Sequence, residues 1–331
     1  MRIDLDEHSR VWASFLAVCK QDLLYQSRIH LLQSFGTASQ NVYLKREDES
    51  GFGTTGSKKR KIASLLAFLT KGGYQNIGII GGPRSNHVVS LLQWVRESAM
   101  QPHLFLKASH SPALGGNALL LDLLAKEDEI CWLENEAWPS ALTIAEETLA
   151  RLKGKYFVVP EGGFCEAAVP GLATLLMDIE RNEAALGKAF DHICIDAGTG
   201  LTAAILIWLN AWRKRSSQIH VILTVGTPKS FTEVMKKAQM WLAPYLKGGA
   251  LPSMPAYRVY RSATAAAYGS VNATIRKAVR RYAQSEGVLC DPIYTAKLLY
   301  SCEKLLEQSV LQGSTLIIHN GGGTGLMGFK F

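Results

Sequence analysis

The sequence has no C-x-x-C pair, although it carries six cysteines: Cys19, Cys131, Cys165, Cys194, Cys290 and Cys302. Most sit in apolar runs, which reads as buried free thiols in a reducing compartment, and no metal site is expected. Long hydrophobic runs are also missing. A stretch such as LTAAILIWLNAW (201–212) is too short to span a bilayer. The opening MRIDLDEHSR is polar and carries acids, unlike a signal peptide, so a cytoplasmic protein with no membrane partner is expected. Low-complexity tracts and fixed-length repeats are absent. The charge is one-sided, +8 with a pI near 9.1, yet the basic residues are dispersed and the longest cluster is KKRK at 58–61. No RRM, zinc-finger or basic-zipper pattern accompanies it, so no nucleic-acid partner is expected. A basic balance also suits small anionic substrates or cofactors.

What is present is a strand–helix alternation along most of the 331 residues. VYLKRE (42–47), NIGIIGG (76–82), HLFLKA (103–108), EICWL (129–133) and KYFVVPEGG (155–163) each lead into a helix-like run. So do HICIDAGTG (192–200), HVILTVG (220–226) and the weaker YRVY (257–260), and STLIIHNGGG (314–323) is the last strand. Several strands are continuous apolar runs, as expected where both faces are buried in a parallel sheet. The fold class is therefore α/β with right-handed crossovers. Ligands in such folds sit beyond the carboxyl ends of the strands. Glycine clusters fall at four of those ends: 81–82, 162–163, 198–200 and 321–323. The first 40 residues carry no functional signal.

The loops carry the chemistry. GFGTTGSKKRK (51–61) spaces Gly51 and Gly56 like a P-loop, but Ser57 intrudes before Lys58 and no hydroxyl follows for magnesium. A solvated basic helix start is an alternative, although positive charge there opposes the macrodipole. A lysine in that field favours its neutral amine, the nucleophile of Schiff-base chemistry. In IDAGTGLTAAILI, Gly198, Thr199, Gly200, Leu201 and Thr202 form either a tight turn or a phosphate cradle at a helix N-terminus. The acid expected of a dinucleotide site is missing from the next strand. In GGPRSNHVVS, Ser85, Asn86 and His87 open a helix, as caps or as carboxylate ligands. Tyr294, in DPIYTAK, and His319, in HNGGGTG, read by themselves as structural residues.

The order KRED, glycine loop with lysine, GGxxSNH, GNxLL, GG, GTG, DPxYxxK and HxGG resembles the 1-aminocyclopropane-1-carboxylate deaminase / D-cysteine desulfhydrase family from about residue 42 to 329. The resemblance implies a pyridoxal 5'-phosphate enzyme of fold type II, tryptophan-synthase-β-like, with two three-layer domains. The larger, cofactor-binding domain would be 1–61 plus 164–331, and a smaller mobile domain 62–163. Family members are usually homodimers, so a homodimer acting on a small amino acid is implied. By motif, Lys58 matches the Schiff-base lysine. Ser85, Asn86 and His87 match residues that hold the substrate carboxylate and the cofactor ring. Gly198 to Thr202 match the phosphate cradle, and Tyr294 the active-site tyrosine. Tyr268 resembles a pocket-lining segment, and Asn320 is placed near the ring nitrogen.

This chain departs from the family pattern at Ser57 (for Asn), Arg84 (for Gln) and Phe164–Cys165 (for Ser-Asn). Cyclopropane deaminases have Glu and Leu where Thr295 and Asn320 stand here, and Thr295 resembles the desulfhydrase branch. The implied chemistry has Lys58 hold the cofactor and then act as base at Cα. Ser85 and Asn86 would hold the carboxylate, and Tyr294 would assist the leaving group. A neutral neighbour at the ring nitrogen, Thr295 or Asn320, would leave that nitrogen largely unprotonated. The implied reaction is elimination from D-cysteine to pyruvate, sulfide and ammonia. Cyclopropane deamination, another β-elimination or β-replacement, and a catalytically lapsed cofactor-binding protein remain alternatives.

Overall fold

A computed structural model describes residues 7–36, 40–109, 115–246 and 253–331. Its strands are β1 (Ile29–Leu31), β2 (Asn41–Arg46), β3 (Asn76–Gly81), β4 (Gln101–Lys107), β5 (Ile130–Leu133), β6 (Tyr156–Val159), β7 (His192–Ala197), β8 (Gln218–Leu223), β9 (Arg258–Arg261) and β10 (Ser314–His319). Its helices are α1 (Glu7–Ala17), α2 (Ser57–Lys71), α3 (Asn86–Glu97), α4 (Gly116–Leu124), α5 (Ala141–Leu149), α6 (Val169–Leu186), α7 (Leu201–Trp212), α8 (Pro228–Leu242), α9 (Ala273–Glu286), α10 (Thr295–Glu307) and α11 (Gly323–Leu326).

The strands form two sheets. One has the order β1-β2-β10-β7-β8-β9 and the other β5-β4-β3-β6. Every pairing is parallel except β1 with β2. The class is α/β with mostly parallel sheets. The four-stranded sheet draws its strands from residues 76–159, and the six-stranded sheet from both sides of that stretch. Helix α2 packs on α6 and α3. Strands β3 and β10 are buried along their whole length. That burial explains why they are apolar runs rather than alternations. The antiparallel β1 and helix α1 arise from the early segment that carried no pattern of its own. No helix among the described residues is long and apolar enough to cross a membrane.

A buried ionic cluster ties β2 and α2 to α6. Lys45, Glu47, Arg60 and Asp178 are each at most 2% exposed at the side chain. Arg60 grips Glu47 through Nε (2.6 Å) and Nη2 (2.8 Å), and Nη2 also reaches Asp178 at 2.7 Å. Lys45 Nζ donates to Asp178 at 2.8 Å and to Asn182 at 2.7 Å. Two cations and two anions leave no net buried charge, the condition under which such groups tolerate loss of water. Ser27 donates through its backbone N–H to Asp178 (2.9 Å) and through its hydroxyl to Glu47 (2.5 Å). The helices themselves touch. A Cβ added at Gly171 of α6 would lie 1.8 Å from the Arg60 carbonyl oxygen, so this crossing admits only glycine.

Burial alone would raise the Glu47 pKa. The Arg60 guanidinium, with Lys45 and the Ser27 hydroxyl, instead lowers it to about 2. A depressed carboxyl contributes stability above its unfolded value and loses it as pH falls through the folded one. Acid titration of unfolding should therefore show stability falling from about pH 4.5 towards about pH 2, and Glu47→Gln should lack that contribution. Asp178→Ala leaves two buried cations with one carboxylate. It should cost about 3–5 kcal/mol in urea denaturation, and a loss under about 1 kcal/mol would show that the cluster is not an integral support of the fold.

Candidate functional site

The ends of β2, β3, β6, β7 and β10 lead into one pocket, and the four cations of KKRK divide between that pocket (Lys58 and Lys61), the Ser50 carbonyl (Lys59) and the ionic cluster (Arg60). Lys58, the second residue of α2, is half-buried and lines the pocket, with Nζ 5.5 Å from the Tyr294 ring centroid. Lys59 turns outward and donates to the Ser50 carbonyl at 2.7 Å. Arg60 enters the ionic cluster. Lys61 reaches back to the Gly162 carbonyl at 2.5 Å and also lines the pocket. The helical rotation of about 100° per residue separates Lys59 and Arg60 from the face shared by Lys58 and Lys61, so the run is not a surface basic patch. The start of α2 is held closely. Gly56 has φ 65°, and a Cβ there would fall 1.9 Å from the Asn320 carbonyl oxygen. The Tyr25 hydroxyl lies 2.9 Å from the Gly56 carbonyl and 2.6 Å from Glu47, which links the ionic cluster to the turn before Lys58.

Facing Lys58 is the start of α7. Its N-cap Gly200 has a left-handed conformation (φ 86°) and supplies no capping side chain. The N–H groups of Leu201, Thr202 and Ala203 have no partner within the helix, and the helix dipole adds positive potential there. Gly198, Thr199, Gly200, Thr202 and Ala203 line the pocket; the Leu201 side chain is buried away from it. An uncapped helix start of this kind suits an anion. Lys61 stands beside it: burial first, and then Lys58, lowers its pKa to about 8.

Ser85 caps α3, its hydroxyl accepting from the His87 (3.2 Å) and Val88 (3.4 Å) N–H groups. Asn86 is fixed by a relay: Asn117 Nδ2 donates to Asn86 Oδ1 at 2.7 Å, and Thr324 Oγ1 donates to Asn117 Oδ1 at 2.6 Å. His87 is 3% exposed, and neither ring nitrogen has a partner. Burial, then Lys61 and Lys58, hold its pKa well below the ordinary value, so the ring is neutral. All three line the pocket. The Arg84 side chain is exposed, while its carbonyl accepts from Asn117 at 3.1 Å.

Tyr294 lines the pocket and is oriented by Asp291, whose Oδ1 accepts from the Ile293 and Tyr294 N–H groups at 2.8 Å. Burial, then Tyr268, Asp291 and Asp196, push its phenol well above the ordinary value, which keeps it a proton donor. Tyr268 is 61% exposed and does not line the pocket, its ring 6.5 Å from that of Tyr294. Thr295 is fully buried and does not line the pocket. Its hydroxyl lies 3.4 Å from His319 Nδ1 and from the Gly321 carbonyl. His319 is turned away from the pocket, with Nε2 3.0 Å from the Leu289 carbonyl. Asn320 does line it.

Four pocket residues or supports were missed in the sequence. Asp196, at the end of β7, lines the pocket and accepts from Asn320 Nδ2 at 2.8 Å. An acid closing the otherwise apolar HICIDA was the available signal. Lys61 follows Lys58 by three residues, the spacing of one helix face. Gly162 belongs to the GG motif at a strand end, to which the sequence assigns no individual role. Asn117 lies in the GNxLL motif, but the relay that gives it a role joins residues distant in the chain.

A family model described as "Pyridoxal-phosphate dependent enzyme" matches residues 21–321. A Pyrococcus abyssi protein with the provisional name 1-aminocyclopropane-1-carboxylate deaminase is 28% identical over 293 residues, 86% of each chain. A D-cysteine desulfhydrase of Yersinia pestis is 25% identical over 297 residues, 87% of this chain and 88% of that one. The solved structure of a 1-aminocyclopropane-1-carboxylate deaminase homologue superposes with a TM-score of 0.83 over 97% of both chains at 24% identity, a likeness of fold.

The pocket meets the demands of that cofactor on its own geometry: an uncapped helix N-terminus for a phosphate, an amine at Lys58, and buried polar atoms without partners at His87 and Asn320. Sulfate, which does not titrate near neutrality, should occupy the α7 cradle of the cofactor-free chain. Its affinity should fall as pH rises through about 8, where Lys61 loses its proton. Lys61→Met should remove that step. Calorimetric titration would check it, and a flat profile across the range would refute a role for Lys61 at the cradle.

Proposed function

Because the chain belongs to the pyridoxal-phosphate dependent enzyme family, we propose that it eliminates and deaminates a small amino acid, with D-cysteine to pyruvate, sulfide and ammonia as the first reaction to test. The observation that carries this reading is one pocket holding the Lys58 amine, the uncapped start of α7 and the Ser85–Asn86 start of α3. Pyridoxal phosphate, when bound, supplies an electron sink for the charge left as a proton leaves Cα. Lys58 would hold the cofactor's aldehyde carbon. Gly198 to Thr202 and Lys61 would hold its phosphate. The α3 N-terminus and Ser85 would take the substrate carboxylate, which sets the Cα–H bond within reach of the Lys58 amine as base. Tyr294 would give its proton to the departing sulfur.

One feature favours the desulfhydrase branch over cyclopropane deamination. Both relatives named above carry one of these activities in their names, so names do not separate them. The position after Tyr294 does: Thr295 offers no carboxylate, and its hydroxyl points to His319 and Gly321. We place the enzyme in the cytoplasm as a homodimer. Six unpaired cysteines fit a reducing compartment. The stretch 62–163, with the four-stranded sheet and α3, would be the smaller domain that closes over the substrate and excludes water.

The test is a visible absorption spectrum of the holoprotein, with Lys58→Ala beside it, before and after D-cysteine. Wild type should show a band of lysine-linked cofactor that Lys58→Ala lacks or shifts, and addition of D-cysteine should change it while pyruvate and sulfide appear. A band with no product from D-cysteine would refute the substrate assignment. No band after incubation with cofactor would refute the role of Lys58.

A further inference from the structure

Two asparagine amides face the pocket, and each is turned one way by a neighbour. Asn117 Nδ2 donates to Asn86 Oδ1, so Asn86 presents its NH2 group. Asp196 Oδ1 accepts from Asn320 Nδ2 at 2.8 Å, so Asn320 presents its carbonyl oxygen. That oxygen is buried and has no donor. An ionised carboxylate can only accept, so in that state Asp196 allows Asn320 no other orientation.

Resting on the functional reading above, we infer that the Asp196–Asn320 pair holds the cofactor's ring nitrogen in its protonated form, with Asp196 acting as a positioning residue through the Asn320 amide. The cofactor's ring offers two polar groups besides those claimed by Lys58 and the cradle: an oxygen beside the aldehyde carbon, and the nitrogen across the ring from it. Asn86 presents a donor and suits the oxygen. Asn320 presents an acceptor, and a ring nitrogen can meet an acceptor only with a proton on it. Thr295 does not compete, since its hydroxyl faces His319 and Gly321. The neutral ring nitrogen expected from Thr295 or Asn320 alone is thereby reversed, because the amide is backed by a carboxylate.

The charged and titratable groups around Asp196 are Lys58, Asp291, His319 and Tyr294. Burial raises its carboxyl above the ordinary value, with Asp291 adding to that; Lys58, the Asn320 amide and His319 oppose it. Were Asp196 protonated, the amide could turn over and present NH2 to an unprotonated nitrogen. The two states therefore place the proton oppositely.

The experiment is ¹⁵N NMR of the holoprotein loaded with pyridoxal phosphate labelled at the ring nitrogen. Wild type should give the upfield resonance of a protonated pyridine. Asp196→Asn and Asn320→Thr should each move it downfield to the neutral position while the visible band of lysine-linked cofactor persists. A neutral resonance in wild type overturns the inference and leaves the functional reading standing, as does a protonated resonance unchanged by both substitutions. Should neither variant retain cofactor, the wild-type resonance alone decides. A wild-type chain that takes up no cofactor overturns both.

Discussion

Lys45, Glu47, Arg60 and Asp178 leave water together, and the rest of the architecture is arranged around what that requires. A buried charge is tolerable only when an opposite charge and hydrogen bonds replace its hydration. Here the replacements come from separate parts of the chain: β2, the turn after it, α2 and α6. None of the four can be satisfied until those segments have met. The cluster therefore specifies their mutual placement, and Gly171 lets the two helices approach closely enough to complete it.

Its consequence for the site is positional. Arg60 is two residues beyond Lys58 on the same helix, and Tyr25 bridges Glu47 to the Gly56 carbonyl one turn before it. A reactive lysine on a flexible stem gains little from proximity unless its helix start is fixed. The cluster fixes that start from one side and the Asn320 backbone from the other. The pocket is then completed by two helix N-termini with different equipment. The start of α3 is capped by Ser85 and carries polar side chains, whereas that of α7 is bare. One suits a carboxylate that must be oriented, the other an anion that must only be held.

Much of this was legible in the sequence because parallel strands buried on both faces must be apolar throughout. Strands β3, β7, β8 and β10 stood out for that reason, and the glycine-bearing loops at strand carboxyl ends marked the pocket. Strand β1 and helix α1 did not stand out, since β1 has three residues and is an exposed antiparallel edge. Lys58, Ser85, Asn86, the GTG loop and Tyr294 were recognisable by motif. Lys61 was passed over because a run of four cations gives no sign of which one turns inward.

The sequence by itself determined the fold class, the family and the motifs whose loops line the pocket. These follow from hydrophobic period and from short motifs, which are properties of neighbouring residues. Only the tertiary structure decided which way the polar groups face. Asn86 and Asn320 are chemically the same side chain, yet one is turned by an asparagine from α4 to present a donor and the other by an aspartate from β7 to present an acceptor. An amide carries both roles until a partner distant in the chain takes one of them, and that partner is present only once the chain has folded.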